Sequence, residues 1–283
     1  PEDHIPCGYS GICSNGKMLL LSTVCRKNGG DIIYTSTDSG ESWKIIMNRL
    51  EYSRFDWNIP YMKPRYNGGG NCVHWISDIK LSPFDSDTAL FNTGTGLFMI
   101  TGLASGDVLV KPFCEGIEET VHLNVYTTPH GRNRIIDIIG DLGGFAFEDY
   151  DSECENSFAN ENGDRYITCL NADFTLQRPE YIAATPRGNW TGKTKGGLIL
   201  SKDCGSTWER LPMPRGLSEF IDKKLDNIEK PNVDSGWTAI SADGKRIMWA
   251  VAGGKGFSNK AVCYTDDEGK TWQKSIFTDS SGN

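Results

Sequence analysis

The chain has 283 residues, 38% of them hydrophobic, which is enough for one large domain or two smaller ones with a sizeable core. Its formal net charge of −8 argues against nucleic acid or an anionic membrane surface as a partner and suits a neutral or cationic ligand. No apolar run approaches the roughly 20 residues that cross a bilayer, and the longest are pieces such as Met18-Leu-Leu-Leu21. In chain order, the first predicted strand is Asp31-Ile-Ile-Tyr34, which leads into a Ser/Asp/Gly turn ending at Trp43. The Pro/Gly/Asn-rich stretch from Phe55 to Gly70 reads as an exposed loop. Strand pairs follow, one from Trp75 to Phe98 and one from Glu119 to Phe145. Gly197-Leu-Ile-Leu200 is a strand entering a second turn, and Leu217 to Leu225 is the most plausible helix, placed on a loop. Trp237 to Ala250 and Ala261-Val-Cys-Tyr264 complete the strands, the last entering a third turn.

The three turns share one phrase, Ser/Thr-x-Asp-x-Gly-x-x-Trp. It occurs as Ser36 to Trp43, Ser201 to Trp208 and Thr265 to Trp272. Physically it is a hairpin turn with its own fastening. The Asp accepts backbone N–H groups, the Gly supplies a positive φ, and the Trp folds back over the hairpin. The phrase resembles the Asp box of sialidase-type β-propellers, where it is structural. The resemblance implies an all-β propeller with Asp-box repeats, at about 40–50 residues per blade. The chain starts at Pro1 without an initiator Met and stops abruptly at Asn283, so it reads as a piece of a longer protein.

Little else points to chemistry. Nine Cys without a CxxC pair read as disulfides of a secreted protein, with one thiol left over because nine is odd. Asn189-Trp-Thr191 is a single N-glycosylation sequon compatible with secretion. His4, His74, His122 and His130 lie at no ligand spacing, so no metal is expected. There is no Gly-x-Ser-x-Gly, no Cys/His signature and no phosphate-cradling loop, since Gly68-Gly-Gly70 lacks the following Lys-Ser/Thr. No cofactor is expected. The exception is Ile138-Ile-Gly140-Asp141-Leu-Gly143-Gly144-Phe145, where a carboxylate follows an apolar strand and precedes two glycines. It is either a plain tight turn or a side chain delivered to a propeller face, with glycines that let a ligand approach the backbone.

This segment resembles glycoside hydrolase family 74, the two-propeller xyloglucanases and related β-glucan-cleaving enzymes. The resemblance also rests on Gly116-Ile-Glu-Glu-Thr120, Tyr126-Thr-Thr-Pro-His-Gly131, His74 to Asp85 with Asn92-Thr-Gly-Thr-Gly96, and Trp237 to Lys245 with Met248-Trp249-Ala250. It implies a glycoside hydrolase acting on β-1,4-glucan backbones such as xyloglucan by inversion, with Asp141 as general acid. Such an acid needs a raised pKa, which Ile139, Leu142 and Phe145 are expected to supply by desolvation. The family's base motif, Arg-Thr-Asp-x-Gly-Gly-Ala-Tyr, is absent from these residues, and Asp38 is an ordinary box residue. The family often reads Phe-Arg-His-Asp after the double Gly, whereas this chain reads Phe145-Ala-Phe-Glu148-Asp149.

Sugar faces pack on aromatic rings, so Trp75 is the first expected platform, followed by Trp57, Tyr61 and Tyr66. Gly143, Gly144 and His130 complete the expected substrate-binding residues. Trp43, Trp208 and Trp272 belong to the boxes. The family order places residues 1–110 at the end of a first propeller and 111–283 at the start of a second. The expected partners are a polysaccharide and the remainder of the same protein, with no nucleic acid and no membrane. Without the remainder the chain is expected to be inactive. Two other readings stand beside this one: a non-catalytic recognition or structural propeller and, third, a sialidase, for which no arginine triad is recognisable.

Overall fold

The computed structural model describes residues 6–26, 30–48, 54–59, 61, 73, 75–117, 120–154, 156–189, 192–230, 233–252 and 261–282. The chain divides into two compact units, residues 1–119 and 120–283, and its strands form five sheets among the described residues. Apart from one helix, its regular structure there is β. Each sheet is built largely from hairpin-connected antiparallel strands, which is the form of a propeller blade. No described helix is long and apolar enough to cross a membrane.

The first unit holds two blades. In the first, β1 (Gly8–Ser14), β2 (Leu19–Val24), β3 (Ile33–Ser36) and β4 (Lys44–Met47) pair in sequence order. The second adds β5 (Arg54–Phe55), β6 (Asp78–Leu81), β7 (Ala89–Thr93), β8 (Gly96–Thr101) and β9 (Leu109–Pro112), in the order β5-β9-β8-β7-β6 with β5 parallel to β9. Phe91 stacks on Phe98 at 5.2 Å in its core. Buried Asp31 ties the two blades, accepting from Thr23 Oγ1 and the Arg26 N–H on one oxygen and from the Ile76 N–H on the other, each at 3.1 Å. The division falls after residue 119, within a dozen residues of the expected boundary near 110, since β9 pairs with β8 and belongs with the first unit.

The second unit holds three blades: β10 (Val121–Thr127), β11 (Ile135–Gly140), β12 (Gly143–Phe147) and β13 (Asn156–Ser157); β14 (Cys169–Phe174), β15 (Ile182–Pro186), β16 (Ile199–Ser201) and β17 (Glu209–Arg210); and β18 (Gly236–Ile240), β19 (Ile247–Val251), β20 (Ala261–Thr265) and β21 (Gln273–Lys274). Helix α1 (Glu219–Ile228) joins the last two blades, and its N-cap Ser218 accepts from the Ile221 N–H at 3.2 Å. It is more than a loop decoration, because Ile221, Leu225 and Ile228 are fully buried in one cluster with Leu211 and Trp249.

The three boxes repeat one hydrogen-bond set. In the second, Ser201 Oγ donates to Asp203 at 2.8 Å and accepts from the Gly205 N–H at 2.8 Å, while Thr207 gives Asp203 both its N–H at 2.8 Å and its hydroxyl at 2.6 Å. The others use Ser36, Asp38 and Ser42, and Thr265, Asp267 and Thr271, in the same way. Two consecutive residues take positive φ in each, as with Cys204 at 59° and Gly205 at 82°, the signature of the hairpin turn whose twist matches its strands. The indole N–H of Trp43 and of Trp208 donates to the box Gly carbonyl at 3.1 Å, whereas that of Trp272 reaches Pro212 at 2.9 Å.

The disulfide reading is corrected for eight of the nine cysteines, since Cys7, Cys13, Cys25, Cys114, Cys154, Cys169, Cys204 and Cys263 are all free thiols; Cys72 lies outside the described residues. Four of them are buried and pack as small apolar groups. Burial pushes the thiols of Cys169 and Cys263 up to about 12. In the sequon, the Asn189 amide donates to Thr194 Oγ1 at 2.9 Å, and Trp190 and Thr191 lie outside the described residues.

Candidate active site

Asp141 sits in the turn between β11 and β12, where a run of buried isoleucines surfaces. It takes φ 63°, a left-handed conformation that Asp tolerates better than most residues and that Ser39, Cys204 and Glu268 share in the boxes, and it is exposed. The following chain segment clamps this turn. Thr168 Oγ1 accepts from the Asp141 N–H at 3.0 Å, and the Ile167 carbonyl accepts from the Gly143 N–H at 3.0 Å. Arg165 donates to the Leu142 carbonyl at 3.3 Å and lays its guanidinium 5.0 Å from the Phe145 ring centroid.

The expected desolvating shell takes another form. Ile139, Leu142 and Phe145 are each at most 7% exposed and fill the blade, while Asp141 itself stands in solvent. The glycines also have a packing reason. A Cβ on Gly143, at φ 83°, would lie 2.6 Å from the Tyr166 carbonyl oxygen, and one on Gly144 would lie 2.7 Å from that of Asp137 and 3.0 Å from the Phe158 ring. Both residues are buried, so the space expected for a ligand is filled by the chain itself.

His130 lies in the turn before β11, at the opposite end of that strand from Asp141. Six strand residues at about 3.3 Å each separate the two ends by about 20 Å, so they do not share a site. Phe147 and Glu148 also run away from Asp141 along β12, and Glu148 pairs with Arg132 near the His130 turn. The cation over Phe145 therefore comes from Arg165, a residue with no local signal in the sequence.

In the first unit, Trp75 is 57% exposed and takes φ 59°, three residues before β6 rather than within a strand. A left-handed residue cannot continue a β-strand, which is why the strand starts later. Its indole edge lies against Gly94 in the β7–β8 turn, where an added Cβ would touch it at 3.4 Å. The two loop aromatics are corrected to packing roles. Trp57 is half-buried, stacked on Phe55 at 5.3 Å and edge-on to Phe98 at 6.0 Å. Tyr61 is 8% exposed, with its hydroxyl 3.6 Å from Cys114 Sγ. Tyr66 lies outside the described residues.

No family model matches the chain. A xyloglucanase of Paenibacillus sp is 24% identical over 95% of this chain and 26% of its own length. An oligoxyloglucan-reducing end-specific xyloglucanase of Emericella nidulans is 26% identical over 87% of this chain and 33% of its own length. The crystal structure of a family 74 xyloglucanase from Xanthomonas campestris superposes with TM-score 0.73 at 22% identity, covering 99% of this chain and 36% of that one. The family 74 enzyme of Niastella koreensis gives 0.68 at 19% identity. The resemblance to glycoside hydrolase family 74 thus extends over nearly the whole chain, which spans about a quarter to a third of the length of these relatives.

Proposed function

We propose that this chain is part of a secreted glycoside hydrolase of the family 74 type that cuts the β-1,4-glucan backbone of xyloglucan internally, with Asp141 as general acid. The observation that carries the reading is the turn itself: an exposed carboxylate on a turn whose backbone is clamped from outside by Thr168 and Arg165. Xyloglucanases matched along most of the chain supply the substrate class. Residues 1–119 are then the end of one propeller and residues 120–283 the start of another.

Protonated Asp141 gives its proton to the leaving glycosidic oxygen, while a second carboxylate activates water on the opposite face of the sugar. In an inverting pair the two carboxyl groups stand roughly 6.5–9.5 Å apart. Asp137, on β11 four residues before the Asp141 turn, is about 10 Å or more away by strand rise and engaged with His122, so it is not that base. The base and the cover that desolvates Asp141 come from the remainder of the protein and from the bound glucan. Trp75 offers a ring to a sugar face, and Trp75→Ala in the full-length protein weakens oligosaccharide binding by about tenfold, the scale of one aromatic contact.

A non-catalytic propeller is the second reading, favoured by the missing Arg-Thr-Asp-x-Gly-Gly-Ala-Tyr motif. The two separate on leaving-group dependence in the full-length protein. Asp141→Asn lowers turnover on xyloglucan by about 10²–10⁴-fold, the usual worth of a general acid. Aryl glycosides with good leaving groups, which need no proton, are hurt far less. Equal losses on both substrates remove the acid role, and an inactive wild type favours the recognition module.

A further inference from the structure

A second cluster of reactive side chains lies at the start of the edge strand β10 and on the neighbouring β11 of the same blade. The Thr120 hydroxyl is 2.6 Å from His122 Nε2, and His122 Nδ1 is 2.8 Å from one Asp137 oxygen and 2.9 Å from the other. Asp137 is 7% exposed, whereas the His122 side chain is 52% exposed, so a buried carboxylate backs an imidazole that solutes can reach. With Asp137 accepting at Nδ1, the proton sits there and Nε2 is left to accept from the Thr120 hydroxyl. The β10–β11 ladder slips between His122 and Asn124, an irregularity of the kind that re-aims side chains beside active sites. Burial pushes the Asp137 carboxyl up, and the contact with His122 opposes it.

We propose that Thr120, His122 and Asp137 form a hydrolytic site for small acyl esters. The three separations match those of a hydroxyl nucleophile, its base and the group that orients the base. Thr120 Oγ bonds to the ester carbonyl carbon as its proton passes to His122 Nε2. The ester C–O bond then breaks, and the departing alcohol takes that proton from the imidazolium, which ionised Asp137 stabilises. Water, deprotonated by the same nitrogen, attacks the acyl-threonine and releases the carboxylic acid. The net reaction is ester plus water to acid plus alcohol, with no redox step.

The bond cut is an ester, so this site stands or falls independently of the glycosidase reading. The test is p-nitrophenyl acetate hydrolysis by the full-length protein. The wild type is expected to release nitrophenolate with saturation kinetics and to carry an acetyl group on Thr120 in quenched peptide digests. Thr120→Val, which keeps shape and leaves the His122–Asp137 pair intact, and His122→Gln each reduce the rate by about 100-fold, the scale of general base catalysis. Thr120→Ser keeps it within a few-fold. A wild-type rate no higher than that of equimolar free imidazole overturns the proposal. So does a Thr120→Val variant, folded by circular dichroism, with full activity.

Discussion

The chain contains two kinds of aspartate turn, and their backbones are held in different ways. In the boxes, Asp38, Asp203 and Asp267 turn their carboxylates inward on the turn, each accepting two hydroxyls and an N–H from residues within four positions. Hydrogen bonds from Ser42 and Thr271 hold Asp38 and Asp267 below the usual carboxylate range. For Asp203, burial pushes upward, but the bonds from Thr207 and Ser201 outweigh it. In the Asp141 turn it is the backbone that is held, from outside, by Thr168 and Arg165, and the side chain stands exposed. A carboxylate that fastens its own loop stabilises the fold. One whose loop is fastened by distant neighbours is left exposed at the end of its strand.

The largest effect that sharpens this contrast is expected at Gly143. Gly143→Ala drives a methyl to 2.6 Å from the Tyr166 carbonyl at φ 83°, so thermal unfolding should show a loss of about 2–4 kcal/mol. A loss under about 0.5 kcal/mol would mean that the turn is not clamped there. Next is Asp203→Ala, which strips a box of its acceptor and should cost about 1–2 kcal/mol, as losing a helix cap does. Thr168→Val removes the acceptor for the Asp141 N–H and should cost about 1 kcal/mol of stability, with a larger fractional loss of turnover in the full-length protein.

The smallest effect is one of acid. The box carboxyls are depressed in the folded state, so their stabilisation is complete above the unfolded value of about 3.9 and disappears as pH falls through the lower folded values. The melting-temperature gap between wild type and Asp203→Ala should therefore be constant above about pH 5 and narrow below about pH 4. A gap that widens on acidification would contradict the hydrogen-bond account.

Much of the architecture is legible in the sequence because it is local. Ser201, Asp203, Gly205 and Trp208 lie within eight residues and can only meet one another in a hairpin. The same locality exposes the Asp141 turn as a distinctive phrase. What holds that turn is not local: Thr168 stands 27 positions away and Arg165 donates to Leu142 across 23. The aromatics misled for a related reason. Trp57 and Tyr61 occupy a polar, glycine-rich stretch, yet Phe98 and Cys114, distant in sequence, cover them. Trp75 is exposed, and its left-handed backbone has no signature in residue type.

The most direct test of the central claim is a paired measurement on the full-length protein, recording xyloglucan turnover and melting temperature for Asp141→Asn and Asp203→Ala together. The account predicts a double dissociation. Asp141→Asn loses about 10²–10⁴-fold in turnover at an unchanged melting temperature, while Asp203→Ala loses several degrees at near-normal turnover below its transition. If Asp141→Asn instead lowers the melting temperature and leaves turnover intact, Asp141 is one more structural turn residue and the assignment is contradicted.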